Sequence, residues 1–150
     1  MRIAVLVVPV MLGACYVAHY QNVSGPFVGT RVTVSCLDVA VTLTQDELAP
    51  DPVVSYEFGN SCFHETIVDF SAVHVVATTA DGQQVPLSAF DPRGEIKPLQ
   101  LDALTSGDER IAYRASNPVA MTSVCVDLGG LDAKYPTDPQ WRCFGTGGAR

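Results

Sequence analysis

From Thr30 onward the apolar residues of this chain recur at every second position, and that period restricts it to β structure. Side chains on a strand alternate between two faces, whereas an amphipathic helix repeats its apolar residues every three to four positions. Val32, Val34 and Cys36 share one parity, and Leu37, Val39, Val41 and Leu43 share the other. A regular strand crossing that slip would turn its apolar set to solvent, so a bulge or sharp bend is expected near Cys36 and Leu37. Val54, Tyr56 and Phe58 alternate next, and Gly59-Asn60 closes the run. A β-branched stretch fills 67–79, followed by Asp81-Gly82, a strong hairpin signal, with Val85-Pro86-Leu87 returning. Asp91-Pro92-Arg93-Gly94 fits a turn with proline second. Further strands are expected near 96–101, 110–114 and 122–128, Pro98 marking the first as an edge. Only 99–104 has the spacing of a helical turn. About seven short strands at this spacing imply an all-β fold, an antiparallel two-sheet sandwich.

A chain of 150 residues buries about 68% of its unfolded surface, enough for one core without covalent help. Its five cysteines therefore need another explanation. Cys36, Cys62, Cys125 and Cys143 lie inside the β region and form an even set that suits two disulfides in an oxidising compartment. Zinc is the competitor, but no two of them have C-x-x-C spacing, so no metal site is assigned. The β-stretches 30–44 and 53–60 flank the loop 45–52. Paired as an antiparallel hairpin, their opposed residues have numbers that sum to about 97. Cys36 then faces position 61, one residue from Cys62, close enough for a disulfide once a bulge absorbs the offset. That favours Cys36–Cys62 and leaves Cys125–Cys143, whose loop holds Gly129-Gly130 and Pro136. The rival pairing joins Cys36 to Cys125 and Cys62 to Cys143.

Cys15 stands apart. Met1-Arg2 is a minimal basic start, residues 3–12 are almost purely apolar, and Gly13 and Ala14 are small. A basic start, a short apolar run and small residues before a cut form an export signal, and ten residues fall far short of the roughly 20 needed to span a bilayer. Leu12-Gly13-Ala14-Cys15 resembles the lipobox of bacterial lipoproteins. The resemblance implies that residues 1–14 are a signal peptide and that the Cys15 thiol carries a diacylglyceryl group. The protein is then exported and lipid-anchored in the cell envelope. Tyr16 is not the aspartate that commonly retains lipoproteins at the inner membrane, which favours the outer membrane if the host has two. Residues 15–29, with Ser24-Gly25-Pro26, read as lipidated cysteine and tether, 30–144 as the β domain and 145–150 as a flexible tail. Asn22-Val23-Ser24 matches a glycosylation acceptor that a bacterial lipoprotein would rarely use. The series Val54-x-Tyr56-x-Phe58, Asn60, an apolar strand and Asp81-Gly82 is similar to small immunoglobulin-like domains of bacterial lipoproteins. That likeness implies a scaffold and no activity.

Charge narrows the partners. The chain carries 9 basic and 16 acidic residues, net −7; loss of residues 1–14 removes Arg2 alone and leaves −8. An acidic chain with no basic cluster repels phosphate backbones, so nucleic acid is not an expected partner. His64, Glu65, Asp69 and His74 are the only dense set of metal-ligating or acid–base groups. His64 and Glu65 are neighbours and in a strand would face opposite ways. His74, flanked by Val73 and Val75, is expected on a solvated face, and Asp69 between Val68 and Phe70 reads the same way. Ser24-Gly25 and Ser106-Gly107 lack the G-x-S-x-G elbow, and Gly145-Thr146-Gly147-Gly148 follows no phosphate-binding pattern. Asp108-Glu109 read as a solvated turn, and Trp141-Arg142-Cys143-Phe144 as aromatics packed on a cystine. No catalytic residue and no cofactor are assigned. The expected function is a non-catalytic binding, adhesion or accessory module of the envelope, with the membrane and an envelope protein as partners. The alternative is an envelope enzyme with a loop-assembled site near His64 and His74. Aromatics gathered on one surface would favour binding, and a pocket joining either histidine to two carboxylates would favour catalysis.

Overall fold

The computed structural model describes residues 31–44, 51–132 and 134–145. The lipobox, Cys15, the glycosylation motif and the tether lie outside the described residues, as do most of the 45–52 loop and residues 146–150. Among the described residues there are ten strands and no helix: β1 Arg31–Val34, β2 Leu37–Leu43, β3 Val53–Asn60, β4 Thr66–Val68, β5 Val75–Thr79, β6 Gln84–Phe90, β7 Leu99–Leu101, β8 Ser106–Arg114, β9 Met121–Asp127 and β10 Trp141–Gly145. The all-β expectation holds, with ten strands where about seven were expected.

Eight strands form one curled sheet in the order β1-β2-β3-β8-β6-β5-β9-β10, and β4 with β7 forms a two-stranded ribbon. All pairings are antiparallel. The long sheet is two leaves joined by β6, which changes partner midway. Its residues 84–87 pair with β5, and Ser88, Ala89 and Phe90 pair with β8. Strands that pass from one leaf to another are how a sheet closes over its own apolar face. Here Val39 and Val41 of β2, Val54, Tyr56 and Phe58 of β3, Ala77 of β5 and Val124 and Val126 of β9 all enter one core. Tyr56, Phe58 and Phe70 pack as an aromatic group, with ring centroids 5.2–6.1 Å apart. Truncating such a ring to alanine typically costs about 3–5 kcal/mol.

The parity slip at Cys36 has a different cause from the expected bulge. Residues 30–44 are not one strand. Ser35 and Cys36 form a two-residue turn between β1 and β2, with Val34 opposite Leu37 and Val32 opposite Val39. Opposed numbers sum to 71, and an odd sum puts opposite parities on the same face, so both apolar sets reach the core. Ser35 has φ of 56° while Cys36 keeps a negative φ, the signature of a type II′ hairpin turn.

Several other expectations hold and some change. The β2–β3 register runs from Leu37↔Asn60 to Leu43↔Val54, so every pair sums to 97 as expected. Asp81-Gly82 turns the β5–β6 hairpin, with Gly82 at φ 82° and its N–H bonded to Thr79 O at 3.0 Å. Asp91–Gly94 is a turn closed by Gly94 N–H to Asp91 O at 3.2 Å. The stretch 67–79 is two strands in different sheets, broken by a turn in which Ala72 N–H bonds Asp69 O at 3.1 Å. The stretch 99–104 is β7 and a turn, not a helical turn; a strand partner across from it outweighs its local spacing. Ser106-Gly107 and Asp108-Glu109 belong to β8 rather than to a loop.

Both disulfides are the local ones, Cys36–Cys62 and Cys125–Cys143, with Cα separations of 5.3 and 4.0 Å. In β9–β10, Leu128 N–H bonds Gln140 O at 2.9 Å, which marks 128/140 as a hydrogen-bonded pair. Alternation then makes 125/143 a narrow, non-hydrogen-bonded pair, the closest approach two strands offer. Trp141 and Cys143 are exposed while Phe144 packs on the core, so the three do not enclose the cystine as expected. Their spacing explains this, because 141 and 143 share a face and 144 takes the other.

Candidate binding cleft

The segment after β3 is shaped by Asn60, which is fully buried. Its side-chain amide donates to the carbonyls of His64, Leu101 and Asp102, each at 3.0 Å. Its Oδ1 accepts from Cys62 N–H at 2.9 Å and from the Thr66 hydroxyl at 3.4 Å. One side chain therefore ties the 61–66 bend to the end of β7. Cys62 adds a covalent tie to Cys36, and the Thr66 hydroxyl reaches its Sγ at 3.5 Å.

β4 then alternates. Thr66 and Val68 are buried, which throws Ile67 outward at 49% exposure. An isolated bridge between Val68 and Asp132 brings the loop after β9 alongside. The result is a cleft of about 470 Å³ lined by His64, Glu65, Thr66, Ile67, Asp69, Pro98, Asp132, Lys134 and Tyr135. Asp132 is its most buried wall, 2% exposed. Its Oδ1 accepts from the backbone N–H groups of Lys134 and Tyr135 at 3.0 and 3.1 Å. Its Oδ2 is buried and has no hydrogen-bond partner among the described residues.

The other polar groups are partly committed. Glu65 Oε2 accepts from Gln100 Nε2 at 2.7 Å, and Asp69 Oδ1 accepts from Ser71 N–H and Oγ at 2.9 and 2.6 Å. His64 Nδ1 lies 2.9 Å from Glu65 O. A carbonyl only accepts, so Nδ1 is the donor in this contact. The His64 and Tyr135 rings stand 6.0 Å apart, and Lys134 Nζ lies 5.3 Å from the Tyr135 centroid.

The sequence-derived set is divided by the fold. The cleft takes His64, Glu65 and Asp69 but not His74, which is exposed beside β5 as expected. Asp132, Lys134, Tyr135 and the neighbouring Phe63 were missed. An aspartate two and three residues before free amides is an Asx-turn signal that local sequence does contain. Its burial against β4 is a long-range fact. The Cys36 and Cys62 sulfurs and a His64 ring nitrogen lie within 4.8 Å of one another, the one three-ligand group of that size among the described residues. Both sulfurs are consumed by the disulfide, and a cystine offers no thiolate to a metal.

A second depression of about 770 Å³ lies between β8 and the 91–97 loop. Arg93, Lys97 and Arg110 balance Asp91, Glu95 and Glu109 there, and Asp91 holds Arg93 at 3.1 Å, lowering its own pKa. None of the unpaired buried side-chain atoms among the described residues belongs to its lining. Comparison with protein-family models, curated proteins and solved structures returned no match.

Proposed function

We propose that this protein is an exported envelope lipoprotein, anchored through lipid on Cys15, whose immunoglobulin-like β-sandwich serves as a non-catalytic binding module. The cleft between the 64–69 segment and Asp132, Lys134 and Tyr135 is the surface it presents to a protein partner. One observation carries this reading. Four large hydrophobic side chains are exposed among the described residues; two of them, Ile67 and Tyr135, line this one cleft, and a third, Phe63 at 81%, is next in sequence to its His64. Clustered apolar exposure rimmed by polar groups marks an interaction surface, whereas scattered exposure is ordinary. The pattern of residues 1–15 supports export and anchoring, and two disulfides suit an oxidising compartment. His64 beside Glu65, Asp69 and Asp132 is the arrangement the catalytic alternative needs. Binding is favoured because the cleft's one hydroxyl on a short side chain, Thr66, is already bonded to Asn60 and Cys62.

Two measurements test the proposal. Cys15→Ser should move the protein from the detergent phase to a soluble exported form; an aqueous-phase wild type refutes the anchor. A photo-crosslinker at position 63 should capture one discrete partner in intact cells. The same group at Ala80, in the hairpin at the other end of β5, should not. Equal capture from both positions refutes the cleft.

A further inference from the structure

Resting on that reading, we infer that the cleft recognises a guanidinium group, the arginine side chain of the partner polypeptide. Asp132 is 98% buried, as its 2% exposure implies, and lines the cleft with an unpaired carboxylate oxygen. A buried carboxylate oxygen without a partner is costly unless a donor reaches it, and a charged donor makes the stronger bond. Glu65 and Asp69 add negative charge, so three carboxylates face the single positive charge of Lys134. Lys134 does not neutralise Asp132. Its ammonium sits over the Tyr135 ring, and no ion pair between the two occurs among the described residues. That contact shows that the Tyr135 ring can hold a cation at this cleft, a place an incoming guanidinium would take over from Lys134.

The spacing selects the cation. The three carboxylates do not converge within the 4.8 Å that a shared metal ion would need. A guanidinium spreads five donors over a plane and stacks on aromatic rings, so it spans separated carboxylates where a compact ion or ammonium cannot. Ile67, Pro98 and Tyr135 would cover the methylene stem. The exposed Phe63, next in sequence to His64 of the cleft, suits a flanking apolar residue on the partner.

The test is isothermal titration of the full-length protein in detergent with N-acetyl-phenylalanyl-arginine amide. Saturable binding is expected, with Kd on the order of 1 mM for so small a ligand. The lysine counterpart should bind more weakly. The citrulline counterpart, which keeps the shape and loses the charge, should not bind. Asp132→Asn keeps the oxygen that accepts from Lys134 and Tyr135 and removes the charge. It should weaken binding about tenfold, the difference between a charge-assisted and a neutral bond. Glu65→Gln, at the exposed rim, should weaken it less and serves if the first variant misfolds. Asp91→Asn, in the other depression, should change nothing. Citrulline binding as well as arginine, lysine binding better, or unchanged affinity in both cleft variants overturns the inference. Agmatine binding as tightly as the peptide overturns the polypeptide source, because a free small-molecule guanidine then satisfies the cleft. Loss of peptide binding with crosslinking from position 63 intact rejects the arginine and leaves the cleft standing; loss of both rejects both.

Discussion

The two disulfides close loops of similar size in dissimilar surroundings. Their sequence separations of 26 and 18 correspond to about 3.5 and 3.2 kcal/mol of loop-closure entropy taken from the unfolded chain. A difference of about 0.3 kcal/mol decides nothing, so the surroundings must. Cys62 is 3% exposed and sits inside the Asn60 network that positions the cleft. Cys143 is exposed on β10, an outer strand of the long sheet. The first bond holds a bend that carries cleft residues, and the second pins an edge. Covalent constraint of equal strength thus shapes the cleft at one end and retains an edge strand at the other.

The sharpest way to break this comparison is to remove each bond. Cys36→Ala with Cys62→Ala should cost about 4–5 kcal/mol in denaturant unfolding, since cavity formation at Cys62 adds to the lost constraint. Cys125→Ala with Cys143→Ala should cost about 3 kcal/mol. A dithiol reductant followed by alkylation and mass spectrometry should open Cys125–Cys143 first, its exposed sulfur being the accessible target. Equal stability losses and equal reduction rates would reject the comparison.

The polar group beside each bond sharpens it. The Asn60 side chain takes part in five hydrogen bonds, whereas Asp127 Oδ1, next to β10, accepts two, from Gly129 and Gln140 N–H at 2.9 Å. Asn60→Ala should cost about 3 kcal/mol and Asp127→Ala about 1–2, because stranded buried carbonyls and amides carry their desolvation cost. The same chemical denaturation series measures both.

Within the leaf that holds Cys36, Tyr56 and Tyr113 share a hydroxyl–hydroxyl bond of 2.6 Å at full burial. Tyr113→Phe leaves one hydroxyl stranded and should cost about 1–2 kcal/mol, while replacing both tyrosines should cost less than the single change. Burial raises both phenols, Tyr113 to about 12. In the unfolded chain they ionise near pH 10, so above that pH the unfolded state sheds protons that the folded state keeps. Stability is therefore complete below pH 10 and falls toward pH 12, by up to about 2.7 kcal/mol for Tyr113. Titrating stability from pH 8 to 11.5 checks the sign, and the double phenylalanine variant should flatten the curve.

The smallest effect is at the surface. Arg114 grips Asp51 through 2.7 and 2.5 Å bonds, lowering the aspartate's pKa, and its guanidinium lies 3.6 Å from the Phe90 centroid. Asp51→Asn should cost under about 1 kcal/mol, and added salt should shrink even that.

The sequence alone determined the features that depend on neighbours along the chain. Period-two alternation excluded helix, because only a strand puts 54, 56 and 58 on one face. The length of the 45–52 loop set the β2–β3 register at 97, and that register brought Cys36 to Cys62. The parity slip was legible as a change of direction, but bulge and two-residue hairpin shift parity alike, and only the pairing of Val34 with Leu37 decided between them. Tertiary structure alone decided the strand count, the change of partner within β6 and the β4–β7 ribbon, whose residues 66 and 101 meet across the chain. It also decided the cleft. Glu65 is legible as an acid and Asp132 as a turn former, but their placement on one cavity follows from the Val68–Asp132 bridge. Local sequence sets which face a side chain takes. Which distant face it meets depends on how the whole core closes, and one residue's neighbours along the chain carry no record of that.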